Sequence, residues 1–196
     1  PSGRAGIIAV SLTAFENYQT EEAWSWEHMS LTKARLITTS TNQIDSFNRR
    51  LSHIIAQSHD PEKLRADMRA MRQRYDEEFK DNNLWSLMTA PGGLSDANWV
   101  VQLLLLSNGL ARLNKTDFKG ELDALRDAEV IGHTDGDALL NAWDVLFRAR
   151  ALKRLLLGPK ATIDTAEDLT KLSLAKLLGH AHFNESTAAI AHAKKQ

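Results

Sequence analysis

The sequence predicts a mainly α fold, a helical bundle of roughly eight or nine helices preceded by one β-strand. Three observations predict it. Apolar residues recur at helical spacing in one segment after another from Ser11 onward, as amphipathic helices require. Start, turn and stop signals such as Asp60-Pro61, Pro91-Gly92-Gly93 and Gly158-Pro159 separate these segments, and short connections make neighbouring helices antiparallel. Only Gly6-Ile7-Ile8-Ala9-Val10 has the short, β-branched character of a strand. A single strand needs a sheet, and no confident partner strand follows, so its sheet is expected upstream.

The elements follow in order. Ser11 or Thr13 caps a first helix carrying Leu12, Phe15 and Tyr18. A second helix is expected over about Glu21 to Ile37, because Ala23, Trp26, Ser30, Ala34 and Ile37 share one helical face. After a polar break at Thr38 to Thr41, a third carries Ile44, Phe47, Leu51 and Ile54. Asp60-Pro61 starts a fourth, aspartate as cap and proline at the first helical position. It is expected to bury Leu64, Met68, Met71, Tyr75 and Phe79 and to end at Asp81-Asn82-Asn83. Past the Pro91-Gly92-Gly93 turn, Ser95 or Asp96 caps a helix over about Ala97 to Leu113. That helix is apolar nearly all round, which places it centrally. Phe118 to Val130, Asp137 to Leu157, Thr165 to Leu178 and Asn184 to Lys194 complete the set. Arg150, Lys153 and Arg154 complement the dipole of the long helix, and Gly158-Pro159 stops it.

Composition sets bounds. The 196 residues are 43% hydrophobic and 25% charged, ordinary for a globular protein with a true core. A net charge of −1 gives no electrostatic case for nucleic acid or an anionic membrane as partner. Without cysteine, disulfides, zinc-thiolate sites and cysteine nucleophiles are excluded, and the absence fits a reducing cytosol. No apolar run approaches the ~20 residues that span a bilayer. No P-loop, nucleophile elbow or dinucleotide fingerprint is present. The Pro1-Ser2-Gly3 start, with no initiator methionine, reads as an excised fragment.

Four segments in order carry a resemblance: Pro1-Ser2-Gly3-Arg4-Ala5-Gly6, Ser11-Leu12-Thr13-Ala14-Phe15-Glu16-Asn17-Tyr18-Gln19, Glu22-Ala23-Trp24-Ser25-Trp26-Glu27-His28 through Leu31 to Lys33-Ala34-Arg35, and Pro91-Gly92-Gly93-Leu94-Ser95-Asp96. Together they resemble the glutamine synthetase adenylyltransferases, in the form associated with the C-terminal part of the adenylylating half. The Trp-Ser-Trp-Glu-His piece is the most specific. The likeness covers about half the chain, to roughly Leu106; beyond it only the helical pattern agrees.

The resemblance implies a parent that transfers AMP from ATP to a tyrosine of glutamine synthetase in a cytoplasmic pathway of nitrogen regulation. It implies ATP and Mg²⁺ as the parent's cofactors, with neither held tightly by this chain. It implies glutamine synthetase and the PII signalling protein as partners and glutamine as effector. The family's metal-binding aspartates lie in Gly-Ser-Asp-x-Asp and Asp-x-Arg-Leu-Arg motifs, and neither motif occurs here. Catalytic and metal-ligating residues are therefore expected to be none, and the chain inactive alone. On this reading residues 1–40 are the remnant of a nucleotidyltransferase domain, the strand its last, and residues 41–196 are the helical bundle domain.

Several residues are singled out, each with a plainer alternative. Arg4, in a glycine-flanked loop, could reach a phosphate, or be an exposed loop arginine. Trp24, Trp26, Glu27, Lys33, Arg35 and Asp96 mark a domain junction. Trp24 and Trp26, at i and i+2, cannot share a helix face, so one is expected on the sheet and the other on the helical domain. Glu27 and Arg35, two turns apart and ~12 Å along the axis, are expected to anchor different neighbours. Where the family has glutamate after the second signature this chain has Asn98. A glutamate there would complete a capping box with Ser95, or contact ligand or metal. Arg65, Arg69 and Arg72 form either a partner-facing stripe or, with Glu62, Asp67 and Asp76, a solvated face. His180-Ala181-His182 with His192 is either a chelating set or a surface turn. Two other readings stay open: a helical protein-interaction module with no catalytic parent, and the related PII uridylyltransferases.

Overall fold

The computed structural model describes residues 10–34, 36–37, 41–57, 60–80, 82–110 and 117–196. Among them are nine helices: α1 Leu12–Glu21, α2 Ser25–Leu31, α3 Thr41–Ile55, α4 Pro61–Phe79, α5 Leu94–Ser107, α6 Phe118–Asp127, α7 His133–Leu157, α8 Asp168–Leu177 and α9 Phe183–Ala193. The expected bundle is there. No strand occurs among the described residues; the one expected over Gly6 to Val10 lies outside them except for Val10, which has no regular structure. Arg4 and Arg35 also lie outside the described residues.

The helix at the centre is α5, as its all-round apolar character predicts. Its Leu106 joins Met29, Leu51, Ile55 and Leu64 in a core made by α2, α3 and α4. One turn away, Val101 and Leu105 pack with Phe118, Leu122 and Leu125 of α6. At its head Leu94 enters a third core, where Ala142, Leu146 and Ala149 of α7 meet Leu174 of α8 and Ile190 of α9. A helix packed against neighbours on most sides has little solvent face to keep polar, and only Val100, 49% exposed, looks out from its middle.

Caps agree with the sequence where the capping residue has a short polar side chain. Ser11 accepts the Ala14 N–H, Asp60 the Glu62 N–H and Asp117 the Gly120 N–H. Two elements differ. The helix expected over Glu21 to Ile37 is only α2, seven residues long. Trp24 is extended at its start, and at its end the N–H groups of Thr32, Lys33 and Ala34 bond three residues back while the Thr32 hydroxyl donates to the Met29 carbonyl. That 3₁₀-type tightening ends the helix before Ala34 and Ile37 can join its face. The second is α5, which begins three residues before the expected Ala97 with Gly93, not Ser95 or Asp96, as its cap. It also stops early, because Gly109 takes a positive φ and the Leu110 N–H bonds back to Leu105. On α4 only Leu64 is fully buried and Phe79 stays 46% exposed.

Candidate functional site: the head of the central helix

The Pro91-Gly92-Gly93 turn is dictated by backbone crowding. Gly92 sits at φ +73°, and a Cβ there would overlap the Lys194 carbonyl. A Cβ on Gly93 would meet the carbonyl oxygens of Ala90, Met88 and Leu87 at 2.8 to 3.0 Å. With Gly93 as cap, Asp96 is the third helical residue. Its Oδ2 accepts the Gly92 N–H at 2.8 Å, so the acid reaches back over the helix start as a capping-box residue does. Its Oδ1 lies 2.8 Å from Nε of Arg72 on α4. Arg72 Nη1 is 2.7 Å from Asp76, an ion pair too bent to count as a hydrogen bond. Burial raises the Asp96 carboxyl above the usual aspartate range, against the lowering pull of the Gly92 N–H and of Arg72. Tyr75 completes this wall, its ring edge-on to Trp99 with centroids 4.9 Å apart and its hydroxyl 3.2 Å from Ser95 Oγ.

One turn on, the two distant signature segments meet. Lys33 Nζ donates to Asn98 Oδ1 at 2.5 Å, and Asn98 Nδ2 donates to the Leu94 carbonyl. Behind the amide lies Glu121 of α6, wholly buried, with Oε2 3.5 Å from the same Lys33 Nζ. Neither Glu121 oxygen has a hydrogen-bond partner among the described residues, so the 3.5 Å approach is an ion pair and no more. Burial drives the Glu121 carboxyl up to about 7; Lys33 opposes this and Asp117 adds to it.

The capping explanation for position 98 is therefore overturned. Asn98 lies beyond the N-cap turn, and what it touches is Lys33. A glutamate in its place would offer Lys33 a second carboxylate.

On α2, Glu27 is buried and accepts the Tyr18 hydroxyl at 2.9 Å on each oxygen. That bond, first, and burial raise the Tyr18 pKa. The anchor of Glu27 is thus α1. Ser25 Oγ donates to Asp67 of α4 at 2.5 Å, and His28 Nε2 lies 2.7 Å from the Gln19 carbonyl. Trp24 and Trp26 remain 63% and 45% exposed. The arginine stripe divides: Arg65 pairs with Glu62 at the surface, while Arg72 turns in to Asp96.

Glu121 was not singled out in the sequence, and Arg72 only as a member of the arginine stripe. Glu121 shares a face with Phe118, Leu122 and Leu125, a spacing that was readable. Arg72 lies on a stripe that looks solvated until Asp96 is placed opposite it.

In sequence the chain is similar to proteins of one family. The family model for glutamate-ammonia ligase adenylyltransferase matches residues 1–50. A bifunctional glutamine synthetase adenylyltransferase/adenylyl-removing enzyme of Bradyrhizobium sp. (strain BTAi1) is 34% identical over 180 residues, covering 88% of this chain and 18% of the relative. Enzymes of the same name from Xanthobacter autotrophicus and Alteromonas mediterranea are 38% identical over 111 residues and 32% over 148, covering 57% and 73% of this chain and 11% and 15% of the relatives. The chain belongs to the glutamine synthetase adenylyltransferase family. It spans less than a fifth of the length of these relatives.

Within this adenylyltransferase segment the first three signature stretches lie inside the residues matched by the family model, and the fourth, at 91–96, heads the helix that Lys33 touches. No group of three histidine, aspartate or glutamate side chains among the described residues is placed to hold a metal ion. His180 Nδ1 lies 2.8 Å from Ser186 Oγ, and His192 beside Gln196 at 3.3 Å. Among the described residues no helix is long and apolar enough to cross a membrane.

Proposed function

We propose that this chain is the supporting helical segment of an enzyme that transfers AMP from ATP to a tyrosine of glutamine synthetase. It belongs to the adenylylating half, and ATP and Mg²⁺ are held by carboxylates elsewhere in the longer protein. Residues up to about 40 belong to the catalytic domain and the rest to the bundle that carries it. The observation that carries the reading is the clasp formed by Lys33, from the stretch matched by the family model, which reaches Asn98 of the central helix, just past the 91–96 signature, and Glu121 of α6.

A clasp of this kind transmits position, since moving the segment around Lys33 drags α5. Beside it, Val10, Leu12, Phe15, Leu31, Leu36 and Phe47 line an apolar groove of about 570 Å³, and Trp24 is exposed on the same N-terminal part. The remainder of the catalytic domain, supplied by the longer protein, is the occupant that fits this reading. Glutamine synthetase is the substrate partner, in the cytoplasm, with PII and glutamine acting on the full-length enzyme.

The test is adenylylation of glutamine synthetase with ATP, Mg²⁺ and glutamine, using this chain and its full-length parent side by side. Activity in the parent alone supports the reading. Activity in the 196-residue chain would show that the catalytic carboxylates lie within it. Silence in both would remove the proposed reaction.

A further inference from the structure

The C-terminal part of α7 is far more basic than a chain of net charge −1 would suggest. Arg148, Arg150, Lys153 and Arg154 crowd into two turns, and of these Arg148 pairs, at 3.8 Å, with Asp144. Arg150, Lys153 and Arg154 fall at i, i+3 and i+4, so they converge on one face. That face meets the turn at 85–89 and Pro159 around an open, solvent-facing cleft of about 210 Å³. This is several times the ~30 Å³ that a water occupies in the liquid.

Dipole compensation explains cations near a helix end, but the cleft needs more. Lys153 Nζ is committed to the Trp85 carbonyl at 3.2 Å, and Lys194 Nζ to the Ser86 carbonyl at 3.2 Å. These bonds tie down carbonyls of the turn. Arg150, half-buried, and Arg154 have no carboxylate within ion-pair distance among the described residues. In the same turn the backbone N–H groups of Leu87 and Met88 have no acceptor among the described residues. Two guanidinium forks, an ammonium and spare amide donors collected round one polar cleft suit an oxyanion with several acceptor oxygens.

We propose that the cleft between the 85–89 turn and the C-terminal part of α7 binds a phosphoryl group, held by Arg150 and Arg154 with Lys153 bracing the turn. The group is either the free ion or the head of a small phosphate ester whose body lies against Trp85, Leu87 and Pro159. The site is independent of the adenylyltransferase reading, because its occupancy is measured without glutamine synthetase.

Calorimetric titration of the 196-residue chain with inorganic phosphate and with phenyl phosphate, at low ionic strength, tests it. Saturable binding of both at one site is expected; tighter phenyl phosphate would mark an ester as the natural form, equal affinity the free ion. The Arg150→Gln/Arg154→Gln double variant should bind phosphate about tenfold more weakly or worse, the size expected for losing charge-assisted hydrogen bonds. Arg65→Gln/Arg69→Gln on α4, an equal change of charge, should bind as before. Amide spectra of the unaltered chain should shift at Leu87 and Met88 on titration, which needs no variant to fold. No saturable phosphate binding overturns the proposal. So do shifts confined to other parts of the chain, or equal weakening in both double variants.

Discussion

The part of the molecule around α2 to α5 and the part around α7 to α9 each have an apolar core, but among the described residues only the first adds a set of polar side-chain pairs between its helices. In the first, helix is tied to helix by polar pairs: Ser25 to Asp67, Arg72 to Asp96, and Lys33 to both Asn98 and Glu121. Its large aromatics Trp24 and Trp26 face outward. In the second, Ala142, Leu146, Ala149, Leu174 and Ile190 make an aliphatic core, and Trp85 stacks on Phe183 with ring centroids 5.0 Å apart. A polar pair fixes the identity of both partners, since leaving one buried and alone costs the full desolvation. An apolar core accepts exchanges of similar volume for less than ~1.5 kcal/mol. The short signature segments lie in the first part, while the similarity to the relatives, 34% identity over 180 residues, runs through both.

The largest effect that sharpens this contrast belongs to the aliphatic core. Leu146 is 1% exposed, at the centre of the α7–α8–α9 packing. Leu146→Ala should cost about 3 kcal/mol, within the ~2–5 kcal/mol that such cavities cost, measured by urea unfolding with an unchanged m-value. A loss below ~1 kcal/mol would mean that the second part is loosely packed and the contrast false.

A smaller effect, visible through pH, belongs to the polar part. Glu121 is raised in the folded chain to about 7, from 4.5. Folded protein therefore holds a proton that the unfolded chain has released between those values. Its contribution is most favourable below the unfolded pKa, falls as pH rises through the window from about 4.5 to about 7, and is level above it. Asp96, also raised, acts in the same sense at lower pH. Glu121→Gln removes the Glu121 part of the slope and leaves that of Asp96. Lys33→Met removes the opposing cation, so the Glu121 decline should extend to higher pH. Urea midpoints from pH 4 to 8 decide it, on a scale of about one pKa unit. Parallel profiles for the parent chain and Glu121→Gln would show that Glu121 does not titrate in this range.

Legibility in the sequence followed the same physical divide. Bundle, helix number and the central place of α5 were readable, because periodicity and all-round apolarity act locally. So were the caps at Ser11 and Asp60, where a short polar side chain serves its own helix. Long-range crowding was not readable. Gly93 takes the cap of α5 because carbonyls of the preceding turn leave no room for a Cβ, and no local pattern announces that. The helix expected through Ile37 fails because Thr32 turns its hydroxyl and N–H back on Met29. At the site, Lys33 and Asp96 were marked by resemblance, but their partners Glu121 and Arg72 are fixed by tertiary contact across 88 and 24 residues of sequence.

The smallest stability effect is the one that separates folding from function. Trp24 is 63% exposed and occupies the cap position of α2 without a side-chain bond of its own. The N–H beneath it is served by Glu27, at 3.5 Å, and that contact survives a change of side chain. Trp24→Ala in this chain should therefore shift stability by no more than about 0.5 kcal/mol, the usual range for surface substitutions. In a full-length adenylyltransferase the same change should lower AMP transfer, if the exposed indole is the surface on which the catalytic domain sits. Unfolding of the isolated variant and transfer kinetics of the long one are read together. Loss of transfer with stability intact places Trp24 at the junction. A stability loss as large as that of Leu146→Ala would make Trp24 a core residue and abolish the distinction between the two parts. Unchanged transfer and unchanged stability would move the junction away from α2, toward the groove lined by Leu12, Phe15 and Phe47.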